Sequence, residues 1–196
     1  MRSSGDNLLL GSSGVQSPFV GIGACRRGLP SESPGVRRAW SHERSPTEKT
    51  EWLTPPAILR RLGEFDLDPC APIHRPWPTA KHHYTLREDG LVRPWFGRVW
   101  LNPPYGHETG RWLARLVQHG DGIALIFSRT ETRMFFDYVW SKAAGILFLR
   151  GRLTFLNEDG TKPANSSGAP SSLVAYGRCN VQALAASGLA GKLVRL

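Results

Sequence analysis

Residues 98–149, RVWLNPPYGHETGRWLARLVQHGDGIALIFSRTETRMFFDYVWSKAAGILFL, decide the fold class. Short apolar runs alternate in them with amphipathic stretches. Residues 98–101 read as a strand. Residues 110–119 read as a helix with Trp112, Leu113, Leu116 and Val117 on one face. Residues 122–127 have the continuous apolar character of a strand buried on both sides. Residues 131–144 read as a second amphipathic helix carrying Phe135, Phe136, Val139, Trp140 and Ala143, and residues 145–149 as another apolar strand. This order predicts crossover units on a largely parallel sheet, the α/β class. Beyond it, residues 152–156 and 172–176 read as a closing antiparallel pair, separated by the polar loop 157–170. Residues 181–196 read as a weakly helical C-terminal segment, interrupted by Gly188 and Gly191.

Upstream, Thr54 followed by Pro55 is a helix-start signal, a capping hydroxyl before a first-turn proline. Ile58, Leu59 and Leu62 share a face and Gly63 is placed to end the helix. Phe65-Asp66-Leu67 reads as a short strand leading into Asp68-Pro69, whereas residues 71–95, rich in Pro and His, carry no clear period. Residues 1–50 are dominated by Gly, Ser, Pro and Arg and are expected to be a disordered basic tail. The expected organisation is therefore a tail over 1–50, a folded domain over 51–180 and a C-terminal segment over 181–196.

Lys and Arg outnumber Asp and Glu by 25 to 16, a formal charge of +9. A polyanionic partner suits that surplus, because neutralising phosphates releases counterions. Three widely spaced cysteines, Cys25, Cys70 and Cys179, form neither a disulfide framework nor a metal pair, which fits a reducing cytoplasm. His74, His82 and His83 lack clustered partners, so no metal is expected. No apolar run approaches the roughly 18 residues of a membrane span, and Leu8-Leu9-Leu10 is too short for a signal-peptide core. The chain is expected to be soluble, intracellular and monomeric.

Asn102-Pro103-Pro104-Tyr105 carries the chemistry. It follows the apolar run Val99-Trp100-Leu101, at the strand edge where open α/β sheets bind ligands. An exocyclic amine on a base is a poor nucleophile because its lone pair is delocalised. The Asn102 side-chain carbonyl and the Pro103 backbone carbonyl are suited to accept its protons, and the two prolines stiffen the turn. Tyr105 offers a ring on which an unstacked base can lie. Asn-Pro is also a common turn starter, so the four residues alone are also readable as a loop.

Their setting resembles a family. Trp52-Leu53-Thr54-Pro55, then Phe65-Asp66-Leu67-Asp68-Pro69-Cys70-Ala71, then Asp89-Gly90-Leu91 and Trp95, then Trp100–Tyr105 and Gly151-Arg152-Leu153-Thr154-Phe155 are similar to the blocks of phage-type, Dam-like DNA N6-adenine methyltransferases. The likeness spans roughly residues 51–177. It implies a compact Rossmann-like methyltransferase fold, S-adenosylmethionine as cofactor, double-stranded DNA as partner and a flipped adenine as target, attacked directly without a metal. It also implies a phage or prophage origin, the bacterial host cytoplasm as location and a role in protection from restriction. By the same likeness Asn102, Pro103, Pro104 and Tyr105 are catalytic. Asp68, Pro69, Cys70 and Ala71 form the first cofactor turn, Asp89 lies near the cofactor adenine, and Thr54 and Pro55 pack beside its methionine end, with Asn102 adjoining. Two departures stand out: Cys-Ala-Pro replaces the usual Gly-rich turn, and the short interval from Asp68 to Asn102 holds no clear ribose-binding acid.

Arg129, Arg150 and Arg152 are candidates for phosphate contact, with Arg133 nearby. Phe155 is suited either to press on the base or to fill the core. The alternatives are methylation of a protein glutamine or an RNA guanine, which share the Asn-Pro-Pro-Tyr turn, and a catalytically inactive DNA-binding relative.

Overall fold

Alternating side chains along the central strands build an apolar layer on each face of the sheet. The computed structural model describes residues 52–164 and 167–196, and the expected tail over 1–50 lies outside them. In β3 (Val99–Leu101), Val99 and Leu101 enter one core cluster and Trp100 the other. In β4 (Gly122–Phe127), Ala124 and Ile126 face the first cluster, Ile123 and Leu125 the second. The first cluster is covered by α2 (Thr109–His119) through Trp112, Leu113 and Leu116. It is also covered by α3 (Arg133–Phe135), which continues as a π-helical turn over Phe136–Trp140. The second is covered by α1 (Pro56–Leu62) and α4 (Arg178–Ala186).

The remaining strands are β1 (Leu67–Asp68), β2 (His82–His83), β5 (Gly145–Leu149), β6 (Ser171–Tyr176) and β7 (Gly191–Arg195). The seven-stranded order is β2-β1-β3-β4-β6-β5-β7. From β2 to β4 all pairings are parallel. β6 then runs antiparallel between β4 and β5, and β7 is antiparallel to β5 at the edge. The fold is thus mixed α/β. Strands β1 to β5 share one direction, and their carboxyl ends share one edge.

Four expectations need correction. Residues 152–156 form no strand of the sheet: Gly151, at φ +80°, turns the chain away after β5, Phe155 enters the core, and Leu156 makes a two-bond antiparallel bridge with Leu53 at 3.0 and 2.9 Å. The closing strand β6 therefore pairs with β4 and β5. The C-terminal segment is not a weak helix outside the domain, because α4 ends at Ala186 and β7 completes the sheet. The helix expected over 131–144 spans 133–140, started by the Thr132 hydroxyl, which accepts from the Phe135 N–H at 3.4 Å, and widened at Phe136–Trp140. Thr54 does not cap α1: Pro55 stands at the cap position, and no side chain accepts from the first turn. Gly63 does terminate it, at φ +85°.

Candidate active site

The turns leaving β1, β2 and β3 at that shared edge enclose a cavity of about 430 Å3. Pro69–Pro72 line it after β1, Thr85, Leu86 and Asp89–Leu91 after β2, and Asn102–Tyr105 after β3. The start of α2 adds Glu108, Arg111 and Trp112, and Trp52 completes the wall.

Asn102 is oriented at both ends of its amide. Its Nδ2 donates to the Trp52 carbonyl at 2.9 Å, which leaves Oδ1 as the acceptor facing the turn. There, among the described residues, only a long contact, 3.4 Å, comes from the Tyr105 hydroxyl. The Thr109 hydroxyl donates to the Pro104 carbonyl at 2.7 Å, whereas no donor among the described residues reaches the Pro103 carbonyl. Two acceptors with spare lone pairs thus lie within one proline-stiffened turn. The Cys70 thiol donates to the Asn102 backbone carbonyl at 3.3 Å, tying the β1 turn to the β3 turn.

Tyr105 is held by other rings. Phe127 stacks on it at 4.0 Å and 10°, and Phe155 meets it edge-to-face at 5.8 Å and 71°. Burial pushes the Tyr105 phenol above its usual range, so it stays a donor at neutral pH. One face of the ring is therefore covered, and Phe155, buried in the core, fixes Tyr105 rather than offering itself to a base.

Asp68 departs from its expected role. Only 2 % exposed, its carboxylate accepts from the Thr79 hydroxyl and, at 3.1 Å, from the Cys70 N–H, and it does not line the cavity. It shapes the turn that Pro69, Cys70 and Ala71 present. Burial raises its pKa to about 6, against the lowering effect of those hydrogen bonds. The fold therefore holds this proton more tightly than the unfolded chain does. The resulting stability is full below the ordinary value of 3.8 and is lost as pH rises through about 6. Asn in this place keeps an acceptor for Cys70 and has no charge to bury. Relative to wild type, Asp68→Asn is expected to gain about 2 kcal/mol in unfolding free energy between pH 4 and pH 7, measured in urea. A difference independent of pH would contradict this assignment.

Neighbouring His83 accepts the N–H groups of Thr79 and Ala80 at 3.2 and 3.3 Å. Burial lowers its pKa to about 4, which keeps the ring neutral for that task. Among the described residues no group of three or more His, Cys, Asp or Glu is arranged to hold a metal ion, and no helix is long and apolar enough to cross a membrane.

The facing wall contains Asp89 at φ +52°, in the left-handed region, with its carboxylate accepting the Leu91 N–H at 3.2 Å. Gly90 follows it, and a Cβ built there would stand 1.8 Å from the Pro69 carbonyl oxygen. Bare backbone is therefore required where this loop meets the β1 turn. A glycine near the Asp-Pro turn is present after all, but on the opposite loop.

Thr54 and Pro55 do not line the cavity, and the buried Thr54 hydroxyl has no hydrogen-bond partner among the described residues. Trp52, two residues earlier, touches both cavity and Asn102. Its contact to Asn102 runs through a backbone carbonyl and has no signal in the sequence. Leu86, Glu108 and Arg111 were also missed; the last two form an exposed ion pair at 2.6 Å. Arg129, Arg150 and Arg152 are exposed and outside the cavity. Arg129 and Arg150 leave the same sheet edge after β4 and β5, while Arg152 donates to the Ser167 carbonyl at 3.0 Å. The loop after Leu156 is anchored too, since Gly160 lies against Trp77.

The sheet and this cavity define an α/β protein with a proline-stiffened Asn-Pro-Pro-Tyr turn in the wall of a pocket at the carboxyl edge of its parallel strands. A family model described as DNA N-6-adenine-methyltransferase (Dam) matches residues 41–183, and the chain belongs to that family. The seven-stranded sheet is compatible with a methyltransferase fold. No curated protein and no solved structure matches the chain.

Proposed function

We propose that this chain transfers a methyl group from S-adenosylmethionine to the N6 amine of an adenine swung out of double-stranded DNA. The family carries DNA N6-adenine methylation. The proposal extends to a Rossmann-like ancestry for the sheet and a phage or prophage source. The observation that carries it is Asn102: its amide is locked by Trp52, so Oδ1 is presented to an incoming amine.

The cavity suits the donor. Leu86, Leu91 and Trp112 supply apolar surface for a nucleobase, and the Asp89 carboxylate is an acceptor for hydroxyl or amine protons. The Arg111 guanidinium is a fork for a carboxylate. When bound, the donor supplies an electrophilic methyl group. The chain's own residues do the rest. Asn102 Oδ1 and the Pro103 carbonyl accept the two amine protons, favouring a tetrahedral, nucleophilic nitrogen. The rigid turn needs little ordering at that moment. Tyr105, braced by Phe127 and Phe155, confines the base. Extrusion is required because a paired amine is out of reach. Arg129 and Arg150, on the same edge, suit the phosphates around the opened site.

Labelled donor offered together with separate DNA, RNA and protein pools tests the reading. Label is expected in DNA alone. Label confined to protein or RNA would overturn it in favour of an amide or guanine methyltransferase sharing the turn.

A further inference from the structure

We propose that Trp95 is a positioning residue for the donor-binding wall, acting through the Gly90 backbone carbonyl; this rests on the assignment of the cavity to the methyl donor. Trp95 does not line the cavity, and nothing in the reaction requires it. Its indole N–H donates to the Gly90 carbonyl at 2.7 Å. Its ring stacks at 6.4 Å and 23° on Trp112, whose other contacts are cavity wall and core. His119 meets its edge at 5.9 Å, and the Arg115 guanidinium lies over it at 5.9 Å.

The segment it holds needs holding. Asp89 occupies a left-handed conformation that non-glycine residues adopt at a cost. Gly90 is pressed against Pro69 with no room for a side chain. The Asp89–Leu91 loop has no strand or helix of its own, because the chain between β2 and β3 contains neither. Trp95 anchors that loop to α2, and α2 begins directly after the catalytic turn. One indole thus ties the Asp89–Leu91 loop to Trp112, two parts of the lining of the same pocket.

Removing the N–H while keeping the ring separates this role from packing. Trp95→Phe is expected to raise the donor KM roughly three- to tenfold, the scale of one lost hydrogen bond, with kcat at saturating donor and the affinity for DNA unchanged. Calorimetric titration of the DNA-free protein with S-adenosylmethionine should show the same weakening. Trp95→His, which retains a ring N–H, should bind the donor better than Trp95→Phe. A purely structural role predicts a lower Tm with unaltered donor affinity in the folded fraction. Donor binding by Trp95→Phe within twofold of wild type, or equal weakening in both variants, would overturn the proposal while leaving the methyltransferase reading intact. A wild-type chain that methylates DNA but does not bind S-adenosylmethionine would overturn both the donor reading and this proposal.

Discussion

Asn102→Ala should reduce methyl transfer by on the order of 10²–10³-fold in kcat, the size seen when one preorganised polar group is removed from a reacting centre. The loss falls on kcat because the acceptor matters most as positive charge develops on the amine nitrogen, and less in ground-state binding. Donor affinity should change little, since the nucleoside wall at Asp89–Leu91 and Trp112 is untouched. Stability should also change little. The lost bond to the Trp52 carbonyl is a single neutral one beside an open cavity, worth about 0.5–1.5 kcal/mol. Side-by-side kcat, donor titration and thermal unfolding check the three statements. An Asn102→Ala protein with wild-type kcat would exclude the amide from the mechanism.

Gly90→Ala should damage the cavity from the other side. The added methyl would stand 1.8 Å from the Pro69 oxygen and 2.8 Å from its carbonyl carbon. No side chain can rotate away to relieve this, because both partners are backbone. The loop and the β1 turn must separate, straining the Trp95 bond at Gly90 and the presentation of Cys70 and Ala71. Overpacking of this kind costs about 1–3 kcal/mol, or roughly 2–4 °C in Tm for each kcal/mol in a chain of this size. Donor binding should weaken more than tenfold even below that Tm, because the pocket walls are displaced. A Gly90→Ala protein that unfolds and binds S-adenosylmethionine like wild type would show that the two loops do not pack as described.

The parts of this molecule governed by local pattern were readable. β4 and β5 fall at Gly122–Phe127 and Gly145–Leu149 because buried strands read as unbroken apolar runs. α2 ends at His119 before Gly120, at φ +81°, as its amphipathic face implied. The Asn102–Tyr105 turn sits at the carboxyl edge because β3 is parallel to β4. What escaped was set by long-range contact. β7 is exposed on one edge and pairs only with β5, so Gly191–Arg195 lacks the apolar signature of a core strand. Phe155 and Leu156 alternate like a strand, yet Gly151 and the bridge to Leu53 send them elsewhere. Asp68 looked like a ligand contact by position, but Thr79 and the Cys70 N–H, neither evident from spacing, turn it inward. Trp52 is the sharpest case. It grips Asn102 from 50 residues away through an atom every residue possesses.

The most direct test is the chemical identity of the product. Double-stranded DNA incubated with the full chain and S-adenosylmethionine, then digested to nucleosides and resolved by mass spectrometry, should contain N6-methyldeoxyadenosine. The same DNA treated with Asn102→Ala should contain almost none. Methylcytosine in place of methyladenine, or equal N6-methyladenine from both proteins, would contradict the assignment of Asn102–Tyr105 as the turn that activates an adenine amine.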